Sequence, residues 1–205
     1  MARKVILFIL IAVGLYMIYW FAFKRKEARP ETPKQESVKL KKHSEKFNQS
    51  ADSIVNAYLS IKNALVESDT AGAKRGTANL IAVLNNFPVD EMKTDTAIIL
   101  ETVTGNLADV KSNAVSLMNQ TALSEMRQDF SAITEVLYPS FFTAINYEGP
   151  KLYLINCPMA FNDDVSANWI SNSAEILNPY LGKDHPKYKG GMLKCGEVKD
   201  SIVAR

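Results

Sequence analysis

Thiols and imidazoles are scarce in this chain: 205 residues hold two cysteines, Cys157 and Cys195, and two histidines, His43 and His185. That scarcity excludes a good deal. The usual cysteine and histidine spacings of a structural zinc site are missing, and C-x-x-C-H is absent, which removes covalently attached haem although Cys157-Pro158 resembles a haem-ligating dipeptide. No H-E-x-x-H, G-x-S-x-G or Walker A stretch occurs. A histidine-based triad would have one base in the folded part, so the only nucleophile pair on offer is Cys157 or Cys195 with His185, and an enzyme is not expected. Acidic residues such as Glu101 and Asp109 are scattered, without the Glu-x-x-His pairing of a di-iron bundle. There is also no basic face with interleaved aromatics, so nucleic acid is not an expected partner.

What is present begins with an apolar run. Residues 5–23, VILFILIAVGLYMIYWFAF, carry no charge. At about 1.5 Å per residue such a helix just crosses a hydrocarbon core of roughly 30 Å. The run ends in Trp20, Phe21, Ala22, Phe23 and then Lys24, Arg25, Lys26, a poor cleavage site and a good membrane interface. Residues 1–23 therefore read as an uncleaved transmembrane anchor. Residues 24–48 hold nine Lys/Arg against four Asp/Glu, two prolines and few apolar residues, the composition of a basic, solvated tether. The stretch 49–205 has 13 Lys/Arg and 18 Asp/Glu, a net of −5, so the overall +2 conceals a basic tether and a mildly acidic domain. Charges flanking the anchor are nearly balanced and lean slightly towards a cytoplasmic C-terminal side.

From residue 49 to 148 the apolar residues recur at helical spacing. Ser50 is the candidate N-cap of a first helix striped by Ile54, Ala57, Tyr58, Ile61 and Leu65. Further helices are expected at about 70–86, 94–118 and 121–144, with Pro139 kinking or ending the last near Tyr138. Four such helices with short links predict a mainly α fold built on an antiparallel four-helix bundle. Residues 149–205 differ: a loop-rich appendage with short strands is expected, one over KLYLINC and one around 168–171, separated by a turn at Asn162-Asp163-Asp164.

Both cysteines fall in that appendage, each beside a methionine. Cys157 and Met159 flank Pro158, while Met192 and Cys195 are three apart, a spacing that sets both on one side of a helical turn. Two readings stand side by side. A disulfide would close a long loop and stabilise by about 4 kcal/mol in the loop-entropy model. Alternatively, two thiolates and two thioethers form an all-sulfur site selective for soft ions such as Cu(I) or Ag(I), with His185 as a further candidate ligand.

The succession CPMA (Cys157–Ala160), W-I-S (Trp169–Ser171), E-I (Glu175, Ile176), N-P-Y-L-G (Asn178–Gly182) and M-L-K-C-G (Met192–Gly196) resembles a bacterial domain-of-unknown-function family, common in Bacteroidetes. Members of that family stand alone behind an export signal or are joined to adaptor subunits of copper/silver-type efflux pumps. AYLSIKNALVESD resembles the family's opening helix, and the likeness spans about 50–199. The resemblance implies a periplasmic, copper-linked domain on the inner membrane, with an efflux adaptor or another envelope protein as partner. KDHPKYKGG is a departure, since the family runs from N-P-Y-x-G almost directly into M-L-x-C. The expected function is a membrane-tethered Cu(I)-binding protein, with metal ligands Cys157, Met159, Met192, Cys195 and His185; the alternative is a disulfide-stapled envelope interaction module.

Overall fold

The structure is a computed structural model and describes residues 12–20 and 41–203. The chain divides into two units, Met1–Lys39 and Leu40–Arg205. Most of the expected anchor and the tether residues 24–40 lie outside the described residues; residues 12–20 are helical. Among the described residues, no helix is long and apolar enough to cross a membrane.

The second unit is mainly helical, with a small three-stranded antiparallel sheet at its C-terminal end. Helix α1 covers Glu45–Val66. It starts before the expected N-cap at Ser50, because Ser44 accepts the amide of Phe47 and Glu45 sits in the positive first turn. Ser50 instead lies inside the helix, donating its hydroxyl to the Lys46 carbonyl. The packed unit thus takes in the end of the stretch read as tether, and Phe47 is fully buried.

Helix α2 (Thr70–Asn85) begins at Asp69, whose carboxylate accepts the Gly72 amide at 2.8 Å. A 3-10 segment, Val89–Thr94, leads to α3 (Ala97–Asn119), capped by Thr96. Helix α4 (Leu123–Val136) then runs into a π-helical turn, Leu137–Phe141, followed by the single turn α5, Phe142–Ala144. Inside that turn Tyr138 has extended dihedrals (φ −121°, ψ 130°), the conformation that the following Pro139 imposes on its predecessor. The kink expected at Pro139 is therefore present. Successive helices pack on one another, and α1 also meets α4.

Strand β1 (Leu152–Phe161) turns back at Asn162 and Asp163, both at positive φ, into β2 (Val165–Ser171). Asn and Asp tolerate that left-handed region better than other side chains with a Cβ. A third strand, β3 (Glu197–Ile202), was not expected from the polar tail; it joins the other side of β1, giving the order β2-β1-β3. Its EVKDSI pattern lies mostly exposed at the sheet edge, so it carries no apolar face to announce it.

Tyr58 joins the helices to the sheet. Its hydroxyl accepts the Ile170 amide of β2 at 3.0 Å and contacts the Thr134 hydroxyl of α4 at 2.7 Å, which in turn donates to the Phe130 carbonyl. The ring stacks on Phe130 with centroids 4.8 Å apart. Burial holds the phenol protonated well above its ordinary range. Tyr58→Phe strands a buried amide and removes no packing, so a loss of about 1–3 kcal/mol is expected. Urea unfolding of residues 40–205 measures it; an unmoved midpoint would contradict this account of the junction.

Candidate functional site

Cys157 occupies β1 opposite Ala167 of β2 and is fully buried. By strand alternation it shares a sheet face with Ile155, and through the ladder with Trp169, opposite Ile155. Cys195 belongs to a tight turn that enters β3. Its amide donates to the Met192 carbonyl at 2.9 Å, so the expected turn through Met192 and Cys195 is formed. The two Sγ atoms stand 3.2 Å apart, and both cysteines are free thiols. A disulfide bond would be about 2.05 Å, so the pair is in contact and unbonded.

Asn178 holds the Cys195 turn in place. Fully buried, it donates its side-chain amide to the Cys195 carbonyl at 2.8 Å and its backbone amide to the Leu193 carbonyl at 2.9 Å. Its side-chain oxygen accepts the amides of Tyr180 (2.8 Å) and Leu181 (3.0 Å), and its carbonyl accepts from Gly182. One residue thus forms the Asn178–Gly182 turn and clamps the cysteine turn to it.

The clamp has its own footing. Buried Arg127 of α4 donates Nε to the Pro179 carbonyl at 2.8 Å and a terminal nitrogen to Leu65, in the last turn of α1, at 3.2 Å. Burial without a carboxylate partner lowers its pKa to about 10, and the exposed carbonyls of a helix C-terminus suit the charge. Gly182 lies at φ +61°, and a Cβ there would stand 2.5 Å from the Arg127 guanidinium. Gly196, at φ +149°, lets the chain pass over Trp169: a Cβ would come within 2.7 Å of the indole ring.

Burial first, then the hydrogen bond to Cys157 and its charge, raise the Cys195 pKa from 9.0 to about 11. Cys195 therefore holds its proton at neutral pH. Met159 lies in the part of β1 where the register shifts between Cys157 and Phe161, and Met192 ends the 3-10 turn Gly190–Met192. Both are half-buried against the core.

His185 is not brought to the thiols. Its Nδ1 accepts the amides of Lys187 and Tyr188, each at 3.3 Å, and its ring stacks on Tyr188 at 5.0 Å. Lys187 and Tyr188 both bond to Asp163 of the β1–β2 turn, so the inserted loop folds against that hairpin. Partial burial, then the charge of Arg127, lower the His185 pKa. Among the described residues, no His, Cys, Asp or Glu joins the cysteine pair to make a metal-type group of three. His43 lies elsewhere, stacked on Phe47 and 3.9 Å from Asp95.

Sequence reasoning missed Asn178 as a clamp, taking Asn178–Gly182 as one motif of a family resemblance. The signal was there: a turn asparagine with Pro next to it and Gly four residues on. What no local pattern shows is that its second amide function reaches Cys195, 17 residues away.

A family described as "Protein of unknown function (DUF3347)" matches residues 54–146. The match covers the helices and stops before β1, so both cysteines lie beyond it. No curated protein and no solved structure matches the chain.

Two outcomes follow from the clamp and the raised Cys195 pKa. Iodoacetamide should alkylate Cys195 at pH 7 about a hundredfold more slowly than an ordinary thiol, since two pKa steps separate 11 from 9.0, with the rate rising tenfold per pH unit until about 11. Cys157→Ala should speed it. Asn178→Ala leaves the Tyr180 and Leu181 amides without their acceptor and should cost about 2–4 kcal/mol in urea unfolding while exposing Cys195 to alkylation. A rate equal to that of a free thiol, or an unchanged rate in Asn178→Ala, would contradict this geometry.

Proposed function

We propose that this protein binds Cu(I) or Ag(I) through the Cys157–Cys195 thiol pair, buffering the metal or passing it to a heavy-metal efflux system. In this reading the segment 5–23 anchors it in the inner membrane, and an antiparallel four-helix bundle carries the cysteine lobe in the periplasm. One observation supports the reading above the rest: two free thiols, from segments 38 residues apart, are held 3.2 Å from each other by a buried clamp. The thioethers adjacent in sequence, Met159 and Met192, would make the donor set soft, which favours monovalent coinage metals over Mg²⁺ or Ca²⁺.

The residues divide the work as follows. Cys195, half-buried, meets the incoming ion first and gives up its proton; Cys157, at the floor, follows. Sulfurs about 2.3 Å from a shared metal sit roughly half an ångström or more further apart than 3.2 Å, so the turn opens slightly on binding. Met159 and Met192 would add neutral, weak ligands that bind without losing a proton. Few ligands and one exposed side suit handover by exchange of one sulfur at a time. Electrostatics agree, because the acidic domain of net −5 draws cations.

A second reading rests on the same contact. Two thiols already touching are placed for closure, and an envelope oxidant that takes up their two electrons and two protons would form a disulfide stapling the cysteine turn to β1, leaving the domain as an envelope interaction module.

The test is titration of reduced residues 40–205 with Cu(I) against a chromophoric chelator. The expected result is one tight equivalent, abolished by Cys157→Ser with Cys195→Ser and weakened about tenfold, or 1.4 kcal/mol, by Met159→Leu with Met192→Leu. If the unaltered protein competes no better than the cysteine-free variant, the copper reading falls and the staple stands.

A further inference from the structure

A cleft of about 390 Å³ lies beside the end of β3 remote from Cys195, between the kinked turn Leu137–Phe141, the residues that follow it up to Tyr147, and Asp200–Val203. Its size falls within the roughly 300–1,000 Å³ of ligand sites. Three aromatic side chains, Tyr138, Phe142 and Tyr147, line it together with the carboxylate of Asp200. No lysine or arginine is among its described lining residues.

The floor is rigid. Phe142 and Tyr147 are buried and pack edge to face at 5.2 Å, and the Tyr147 hydroxyl donates to Asp52 at 3.0 Å. One wall is built by the kink: Tyr138 leaves helical geometry before Pro139, and its hydroxyl donates to Asp200. Asp200 also accepts the Ser201 amide at 2.7 Å. These two hydrogen bonds hold its carboxyl below the usual range, so it is charged at neutral pH.

A half-buried tyrosine, Tyr138, beside an exposed carboxylate selects a cation with a flat, apolar side. Arginine meets both demands, since its guanidinium stacks on rings, forks onto a carboxylate and follows an aliphatic stem that covers apolar surface. Among the described residues β3 is an edge strand with no strand paired on its outer side, so an extended segment can add there.

We propose that this cleft receives an arginine side chain from an extended, basic segment of a partner protein, stacked on the Tyr138 ring, paired with Asp200 and docked along β3. The partner then lies alongside the lobe without covering the Cys195 end of the strand.

The test uses the full chain in detergent micelles, titrated with acetyl-Thr-Arg-Thr-amide and followed by saturation-transfer NMR. A counterpart peptide carries citrulline, the uncharged isostere, in place of arginine. The arginine peptide should bind saturably and at least tenfold more tightly than the citrulline peptide. Asp200→Asn should weaken it at least fivefold, and Thr143→Lys, at an exposed lining position, should abolish it by placing a competing cation in the cleft. Neither change should alter Cu(I) binding. Equal binding of the two peptides, no saturable binding, or no response to both substitutions would overturn the proposal, whatever the outcome at the thiols.

Discussion

The side chain of Asn178 is the constraint on which the cysteine lobe depends. A buried amide with no partner would cost about 1–3 kcal/mol, yet each polar atom of Asn178 is bonded: two acceptors serve the turn it opens, and two donors hold the turn that carries Cys195. Arg127 ties that same turn to the end of α1, so the position of one sulfur is referred back to the helices. The other sulfur is fixed by the β1–β2 ladder. Two thiols thus meet because two pieces of backbone are each over-determined, a form of preorganisation.

Legibility in the sequence followed the range of the interaction. Helical stripes at Ile54, Tyr58, Ile61 and Leu65 were readable because periodic burial is a local signal, and Pro139 announced its kink through sterics on the residue before it. The Asn162–Asp164 turn was equally local. The start of α1 was misplaced because Phe47 stands alone among charges, so its burial was hidden and Ser44 was passed over for Ser50. β3 was hidden for the opposite reason, since an exposed edge strand shows neither alternation nor an apolar run.

The candidate site divides in the same way. Met192 and Cys195 could be placed on one turn from their spacing, and the turn is there. That Cys157 lies against Cys195 depends on β3 pairing with β1 and on Gly196 passing over Trp169, neither of which has a local signature. His185 had looked available for the same ion, but its Nδ1 is committed to its own loop. The helical part, where the family match lies, and the sulfur pair beyond it therefore separate into a scaffold and a candidate site.

The most direct measurement of the central claim is X-ray absorption at the copper edge on the chain loaded with one equivalent of Cu(I). A first shell of sulfur alone, losing two scatterers in the cysteine-free variant, is the result this geometry predicts. A shell of nitrogen and oxygen, unchanged when Cys157 and Cys195 are replaced, would contradict it.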